Sequence, residues 1–322
     1  MIMPDFSRIF FVVPTLNAGR GWVRFGEALR SNLDDLGLGS GHVLIIDSES
    51  EDDTVALAQS AGYRIHSILR KNYDHGGTRQ IGADLLPEAE FLIYLTQDAV
   101  LTEAASARRL LAAFDDSQVA SAYGRQLPHP GATPREAFAR LHNYPAVSQV
   151  RDLESVQTLG FRSIFASDSF ACYRREALMS IGGFPSHTLF GEDAIVTARF
   201  HLAGYKSAYV AEATVYHSHD YPVSMEFRRY FDVGAFHSRE PWLLETFGTP
   251  GSEGLRFVRA ELAYIGKRRP LQVPGTLLRT AMKFVGYRVG RVTWLPFSLR
   301  LRLSMNRGFW KKLSSTQTTR ED

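Results

Sequence analysis

The sequence predicts an α/β protein: a mostly parallel central sheet with helices on both faces, followed by a basic helical C-terminal extension. Three observations predict it. Apolar runs of strand length alternate with helical periodicity through the first 125 residues, the pattern of parallel strands joined by crossover helices. Those runs are apolar throughout rather than alternating, as strands buried on both faces must be. Towards the C-terminus the pattern becomes helical and basic. From Arg256 to Lys312 there are 14 Lys and Arg against one acid, Glu261, so this segment carries +13 and the rest of a +3 chain carries −10.

In order, "RIFFVVPT" (Arg8–Thr15) is the first strand, and "GWVRFGEALRSNL" follows with Trp22, Phe25, Leu29 and Leu33 at helical spacing. Val43–Ile46 forms the second strand and delivers Asp47 at its end. The helix in "EDDTVALAQSAG" takes Asp52 or Asp53 as its N-cap and Gly62 as its stop. "YRIHSIL" is a short third strand, "HGGTRQIGADLL" opens a helix with glycines, and "EFLIYLTQD" is a fourth strand ending at Asp98. Ala104–Phe114 is helical and "VASAYG" is a fifth strand. Beyond residue 125 the pattern loosens. "RQLPHPGATPRE" is expected as a loop, "SDSFACYRREALMSIGGF" as strand, turn and helix, and "GEDAIVTARFHLAGYKSAYVAEATVYHSHDY" as helix then strand. "SMEFRRYFDVGAFHSR" is an amphipathic helix, and after Pro270 come basic helices broken by Pro274 and Pro296. Residues 1–240 are expected to form one domain, with halves at about 1–125 and 126–240, and residues 241–322 the extension.

The chain is 44% hydrophobic and 22% charged, which fits a soluble globular protein with a sizeable core. Its one cysteine, Cys172, excludes an intramolecular disulfide and a cysteine-built metal site, and favours a reducing compartment. "MIMPDFSRIFFVVP" lacks the basic start and cleavage site of a signal peptide, and no apolar run approaches the roughly 20 residues that span a bilayer.

In open α/β sheets ligands bind beyond the carboxyl ends of the strands, where Thr15, Asp47 and Asp98 all fall, so these are expected to share one site. Asp47 either hydrogen-bonds a nucleotide base or ribose, or caps the following helix. The glycines of "HGGTRQIG" let backbone approach an anion at a helix start, and Arg79 adds a planar donor suited to phosphate; the plainer reading is an ordinary loop with Arg79 in water. The stretch lacks the G-x-G-x-x-G fingerprint and the P-loop lysine, which argues against NTPases and Rossmann dehydrogenases. A charge such as Asp98 at the end of a buried strand needs a partner, either a Mg²⁺- or Mn²⁺-like cation or a remote arginine. Glu192 and Asp193 open a helix, where acids are favoured by the dipole, yet beside Phe184 and Phe190 a carboxylate there can also act as general base. His217 and His219 alternate on a strand and share a face, so one can bind a metal; a zinc site would need further ligands.

These segments, in this order, resemble family 2 glycosyltransferases of the GT-A fold, and more narrowly the bacterial rhamnosyltransferases that use dTDP-rhamnose. The resemblance rests on "PTLNAG", "IIDSESEDDT", "HGGTRQIGA", "LTQDA", "YGRQLP", "NYPAVS", "YRREALMSIGGF", "GEDAIVTARFHLAGY", "VYHSHDY" and "RRYFDVGAFH". It covers about Arg8 to His237, and the basic end with "LRLSMNRGFW" fits the same subgroup. It implies an inverting, metal-dependent enzyme that transfers L-rhamnose from dTDP-rhamnose to a saccharide acceptor of a cell-surface polysaccharide such as O-antigen. By the match Asp98, after Gln97 in a reduced DxD-like motif, holds the divalent cation, Mg²⁺ or Mn²⁺, and His217 is a further metal ligand. Asp47 contacts the nucleoside; Pro14, Thr15 and Asn17 touch the base; Arg79 lies near the diphosphate; Gly77 and Gln97 also belong to the donor side; and Asp193 is the catalytic base. Asp168, where the subgroup generally has Asn, lies with Glu192 on the acceptor side and is a rival base. Glu49, where a small residue is more usual, and Gln80, where Asn is commoner, also depart from the pattern. The competing readings are another nucleotide-sugar donor, a zinc hydrolase built on His217 and His219, and a non-catalytic sugar-nucleotide-binding protein.

In the basic arm Leu278, Ala281, Met282, Val285, Val289 and Val292 form one helical stripe, with Arg279, Lys283, Arg288 and Arg291 off it and Trp294, Phe297, Phe309 and Trp310 as aromatic anchors. Either the stripe packs on the domain and the basic face is solvated, or the helix lies on anionic lipid. The second suits a cytoplasmic enzyme, peripheral at the inner face of the cell membrane, that extends a polyprenyl-linked saccharide. Nucleic acid is not an expected partner, because the body carries −10 and no reader motif is present.

Overall fold

Strand alternation divides the core in two. The computed structural model describes residues 6–249 and 251–318. The strands are β1 (Ile9–Thr15), β2 (Val43–Asp47), β3 (Arg64–Ser67), β4 (Phe91–Leu95), β5 (Val100–Leu101), β6 (Val119–Leu127), β7 (Gln149–Arg151), β8 (Phe170–Arg174) and β9 (Lys206–Tyr216). The first helices are α1 (Gly21–Leu36), α2 (Thr54–Ser60), α3 (His75–Asp84), α4 (Ser106–Leu111), α5 (Pro134–Asn143), α6 (Val156–Leu159), α7 (Arg175–Ser180) and α8 (Glu192–Leu202). Ile9, Phe11, Val43, Ile45, Phe91 and Ile93 pack against Trp22, Phe25 and Leu29 of α1 and Leu110 of α4. Their neighbours Phe10, Val12, Leu44, Ile46, Leu92 and Tyr94 pack against Ala83 of α3, Leu178 of α7 and Val196 and Phe200 of α8. With both faces covered, each strand must be apolar at every position.

The strand order is β3-β2-β1-β4-β8-β6-β9-β5, with β7 paired to β9. β3, β2, β1 and β4 are parallel neighbours, as are β6 and β9, whereas β8 runs antiparallel to both β4 and β6. The sheet is therefore mixed, and β8 starts at the edge where β1, β2, β4, β6 and β9 end. That reversal gathers the site, because it brings the residues just before β8 to the ligand-binding edge.

Three boundaries differ from the sequence reading. β4 stops at Leu95, and Asp98 sits in a tight turn closed by the Ala99 N–H on the Thr96 carbonyl, so the carboxylate is not terminal to a strand. The stretch expected as a loop from Arg125 holds the end of β6 and the start of α5, whose Thr133 and Glu136 form a capping box. β9 ends at Tyr216, so His217 and His219 lie beyond it. At α2, Asp53 occupies the cap position, but Asp52 supplies the capping carboxylate to Thr54.

The C-terminal helices are α9 (Val223–Arg239), α10 (Pro241–Phe247), α11 (Gly251–Arg268), α12 (Val273–Gly290), α13 (Phe297–Leu303) and α14 (Arg307–Thr318). Glycines let α9 and α12 meet backbone to backbone. A Cβ on Gly234, Gly286 or Gly290 would lie 2.1, 2.4 or 2.0 Å from the carbonyl oxygens of Tyr287, Phe227 and Phe231. Trp310 of α14 shares a cluster with Leu189, Phe231 and Ala235, and Lys312 donates to the Tyr73 carbonyl at 2.6 Å. The seam also rotates α12, so that only part of the apolar stripe, Val289, packs on the domain. Thr276, Gly286 and Gly290 face inward, while Leu278 and Val285 of the apolar stripe are exposed. Arg279 and Lys283, read from the sequence as facing either water or anionic lipid, pair instead with Glu226 at 3.3 and 3.5 Å. Among the described residues no helix is long and apolar enough to cross a membrane.

Candidate active site

Three ligand-type side chains meet where β9 and the β4–β5 turn end. Asp98 Oδ2 lies 3.4 Å from His217 Nε2 and 3.3 Å from His219 Nε2, and the two imidazole nitrogens are 3.2 Å apart. One ligand atom from each falls within 4.8 Å of the others. Burial opposes the charge of Asp98, but hydrogen bonds from the two histidines outweigh it and hold the carboxyl far below its usual range. His217 Nδ1 meets Gln126 Oε1 at 3.0 Å. An amide oxygen there can accept the Nδ1 proton; with a cation in place of the Nε2–Asp98 hydrogen bond, Nε2 would then offer the lone pair that a metal ligand needs. The donor set thus fits a divalent cation, with one carboxylate and two imidazoles, one of them held by Gln126. Asp98 and His217 sit together as expected; His219 completes the group, and Gln126 was not singled out in the sequence.

A second cluster lies under the same edge. Arg79, on α3, is 5% exposed; its Nε lies 2.8 Å from Asp168 Oδ2 and its Nη1 2.8 Å from Glu192 Oε1. Nη1 also donates to the His75 carbonyl. Arg79 is therefore fixed on two carboxylates and does not face water. Asp168 also accepts from the Tyr173 hydroxyl at 2.5 Å. Burial pushes the Asp168 carboxyl up to about 6, against the pull of Arg79. Burial also opposes the charge of Glu192, but Arg79 outweighs it and leaves this carboxyl below its usual range. Asp193, next along α8, has no such counter-ion. Burial, then the Glu192 and Asp168 charges, raise it well above the carboxylate range, while its Oδ1 accepts from the Ala194 N–H at 2.8 Å.

The two clusters are joined. Gln126 Nε2 donates to Ser167 Oγ at 2.8 Å, which ties His217 to the residue before Asp168. Tyr144 feels the charges of both Arg140 and Asp193, and Arg140 feels Asp98 and Arg229. Arg140 forms no ion pair among the described residues, and its charge is felt by Asp98. No local pattern in the sequence marks it.

The donor-side residues form a third group. Asp47 is 2% exposed; Oδ1 accepts from Thr15 Oγ1 at 2.9 Å and from Ser50 Oγ at 2.6 Å, and Oδ2 from the Ser50 N–H at 2.9 Å. Pro14 and Thr15 end β1 in register with Ile46 and Asp47. Asn17, with φ of 48°, donates its N–H to Ser50 Oγ and accepts from the Glu51 N–H, stitching the two loops together. Glu49 also has positive φ, at 60°, and its Oε2 accepts from the Arg70 N–H. Gln97 grips Leu16 at both backbone atoms, 2.8 Å to its N–H and 2.9 Å to its carbonyl, and so holds the Asp98 turn against the Asp47 corner. The Gly77 N–H is taken by Asp74 Oδ1 at 2.7 Å, and the space a Gly76 side chain would need is filled by the Pro185 carbonyl, 1.9 Å from such a Cβ. These glycines serve capping and packing of α3, rather than leaving bare N–H groups for an anion.

One edge of the mixed sheet thus carries a cation-type triad, a buried acid cluster and a polar corner, the layout expected of a glycosyltransferase of the GT-A fold. Residues 10–182 match the family described as Glycosyl transferase family 2. The chain is 39% identical over 309 residues to the O-antigen chain rhamnosyltransferase RfbN of Salmonella typhimurium, covering 95% of this chain and 97% of that protein. It is likewise 39% identical over 314 residues to the O-antigen chain rhamnosyltransferase WbaN of Salmonella anatum, covering 97% of each. In fold it is similar to the mannosyltransferase PcManGT from Pyrobaculum calidifontis, solved in complex with GDP-Man and Mn²⁺, with a TM-score of 0.56 at 16% identity, over 95% of this chain and 88% of that one. The chain belongs to glycosyl transferase family 2 and is a glycosyltransferase.

Proposed function

We propose that the chain transfers L-rhamnose from dTDP-rhamnose to a saccharide acceptor of an O-antigen precursor, with inversion at the anomeric carbon. The observation that carries this reading is the joining of the Asp98–His217–His219 triad to the acid cluster at one sheet edge, in a chain similar over nearly its whole length to two proteins named as rhamnosyltransferases. A divalent cation on Asp98, His217 and His219 would neutralise charge on the leaving diphosphate. Two imidazoles beside one carboxylate favour Mn²⁺ over Mg²⁺. Arg140 supplies a second positive charge beside it. Asp47, fully engaged, holds the loop that shapes the nucleoside pocket with Pro14, Thr15, Asn17 and Gln97.

Asp193 removes the acceptor hydroxyl proton. Its raised proton affinity suits a general base, whereas the two oxygens of Asp168 are taken by Arg79 and Tyr173. Arg79 and Glu192 hold α3 and α8 together and set the field around Asp193. The acceptor is carried on a polyprenyl lipid, and the enzyme works in the cytoplasm at the inner face of the membrane.

A donor panel tests this. With Mn²⁺ present, dTDP-rhamnose should release nucleoside diphosphate at least about tenfold faster than UDP- or GDP-sugars, and chelation should abolish release. Equal turnover of a UDP-sugar would remove the donor assignment. Asp193→Asn should bind dTDP as the parent does and lose about 10²–10⁴-fold in turnover; lost dTDP binding would move this residue out of the base role.

A further inference from the structure

We propose that the outward face of α12 docks on the headgroup layer of an anionic lipid monolayer. This deepens the membrane reading above by naming the surface that makes the contact. α12 packs on α9 through Thr276, Gly286 and Gly290, with Arg279 and Lys283 turned inward to Glu226. Its opposite face carries Leu277, Leu278, Phe284 and Val285, the last three 57%, 64% and 45% exposed. Leu271 precedes the helix at 95% exposure and Trp294 follows it at 82%. Single exposed apolar side chains are ordinary; four along about 12 Å of one helix face, flanked by two more, are not.

The charges around it select the occupant. Lys267, Arg268 and Arg269 are exposed beside Leu271, and Arg288 and Arg291 are exposed beside the other end. None of the five forms an ion pair among the described residues, and Glu261, the single acid from 256 to 312, is buried. Apolar side chains along one face with cations at both ends match a headgroup layer, in which the apolar residues sit at the acyl boundary and the cations meet lipid phosphates. A second copy would set two basic rims against each other. The face is the convex side of a single helix, and a lipid layer, unlike a folded partner, deforms to meet it.

The test uses the whole chain and vesicles of phosphatidylcholine with or without phosphatidylglycerol. The parent should sediment with phosphatidylglycerol vesicles, about tenfold less with phosphatidylcholine alone, and less again as salt is added. Phe284→Glu with Trp294→Glu should cut binding at least about tenfold while the melting temperature holds, since both sites are exposed. Arg288→Gln with Arg291→Gln should weaken binding on phosphatidylglycerol vesicles and flatten the salt dependence. The proposal is overturned if the parent stays in solution with phosphatidylglycerol vesicles, or if the double variants bind as the parent does. It is also overturned if the parent is a lipid-independent dimer that Phe284→Glu with Trp294→Glu splits. Vesicle binding is read without sugar nucleotide, so its failure leaves the donor assignment standing, and the reverse also holds.

Discussion

Arg79 is held by Asp168 and Glu192, which arrive from positions 89 and 113 residues further along the chain. No local pattern announces that pairing; the helix-start glycines pointed instead to an anion site. The neighbouring Asp168 gives a pH signature. Its folded-state carboxyl is raised to about 6, so its favourable contribution is complete below the unfolded value near 3.9 and is lost as pH rises through about 6. Asp168→Asn has no such proton to lose. The variant should therefore gain stability relative to the parent between about pH 4 and pH 7, by on the order of 2 kcal/mol. Paired denaturation curves across that range check it, and a flat difference would mean the carboxyl is not raised. Gln126 makes a second prediction. It orients His217 through Nδ1, so Gln126→Leu should weaken Mn²⁺ binding about 10–100-fold with the three ligands intact, as read by calorimetry. An unchanged affinity would mean that the imidazole is oriented otherwise. The triad itself was half legible. Asp98 and His217 were readable from an acid after an apolar strand and an alternating histidine pair, but Gln126 and Arg140 reach the site only through tertiary packing.

At the scale of elements, the βα alternation up to Val119 was readable because strands buried on both faces leave an unbroken apolar run. The direction of β8 was not, since nothing in "FACYR" distinguishes a parallel from an antiparallel neighbour. Yet that reversal delivers Asp168 to the site. The rotation of α12 was hidden for a different reason. Periodicity counts large apolar side chains, and the inward face of this helix carries Thr276, Gly286 and Gly290 with Arg279 and Lys283, which give no hydrophobic signal. Adding one methyl group tests the seam. Gly290→Ala places a Cβ 2.0 Å from the Phe231 carbonyl oxygen, so the helices must part, and about 1–3 kcal/mol of stability should be lost in urea denaturation. An unmoved midpoint would show a looser contact.

Over the whole molecule, an acidic body of −10 carries a basic arm of +13. The sequence suggested an extension beginning at residue 241, but Trp310 shares a cluster with Phe231 and Ala235, and Lys312 bonds the Tyr73 carbonyl. We therefore expect body and arm to unfold in one cooperative transition by calorimetry. Removing residues 270–322 should lower Tm by at least about 5 °C, because Phe231 and Ala235 lose their cover. Two separate transitions would instead mark the arm as an independent unit. The backbone-to-backbone seam between α9 and α12 has a final consequence. Because main chain and glycine hold these helices together, the residues on the outer side of α12 are nearly free of folding constraint. Substitutions can accumulate there without disturbing how the chain folds or what it catalyses.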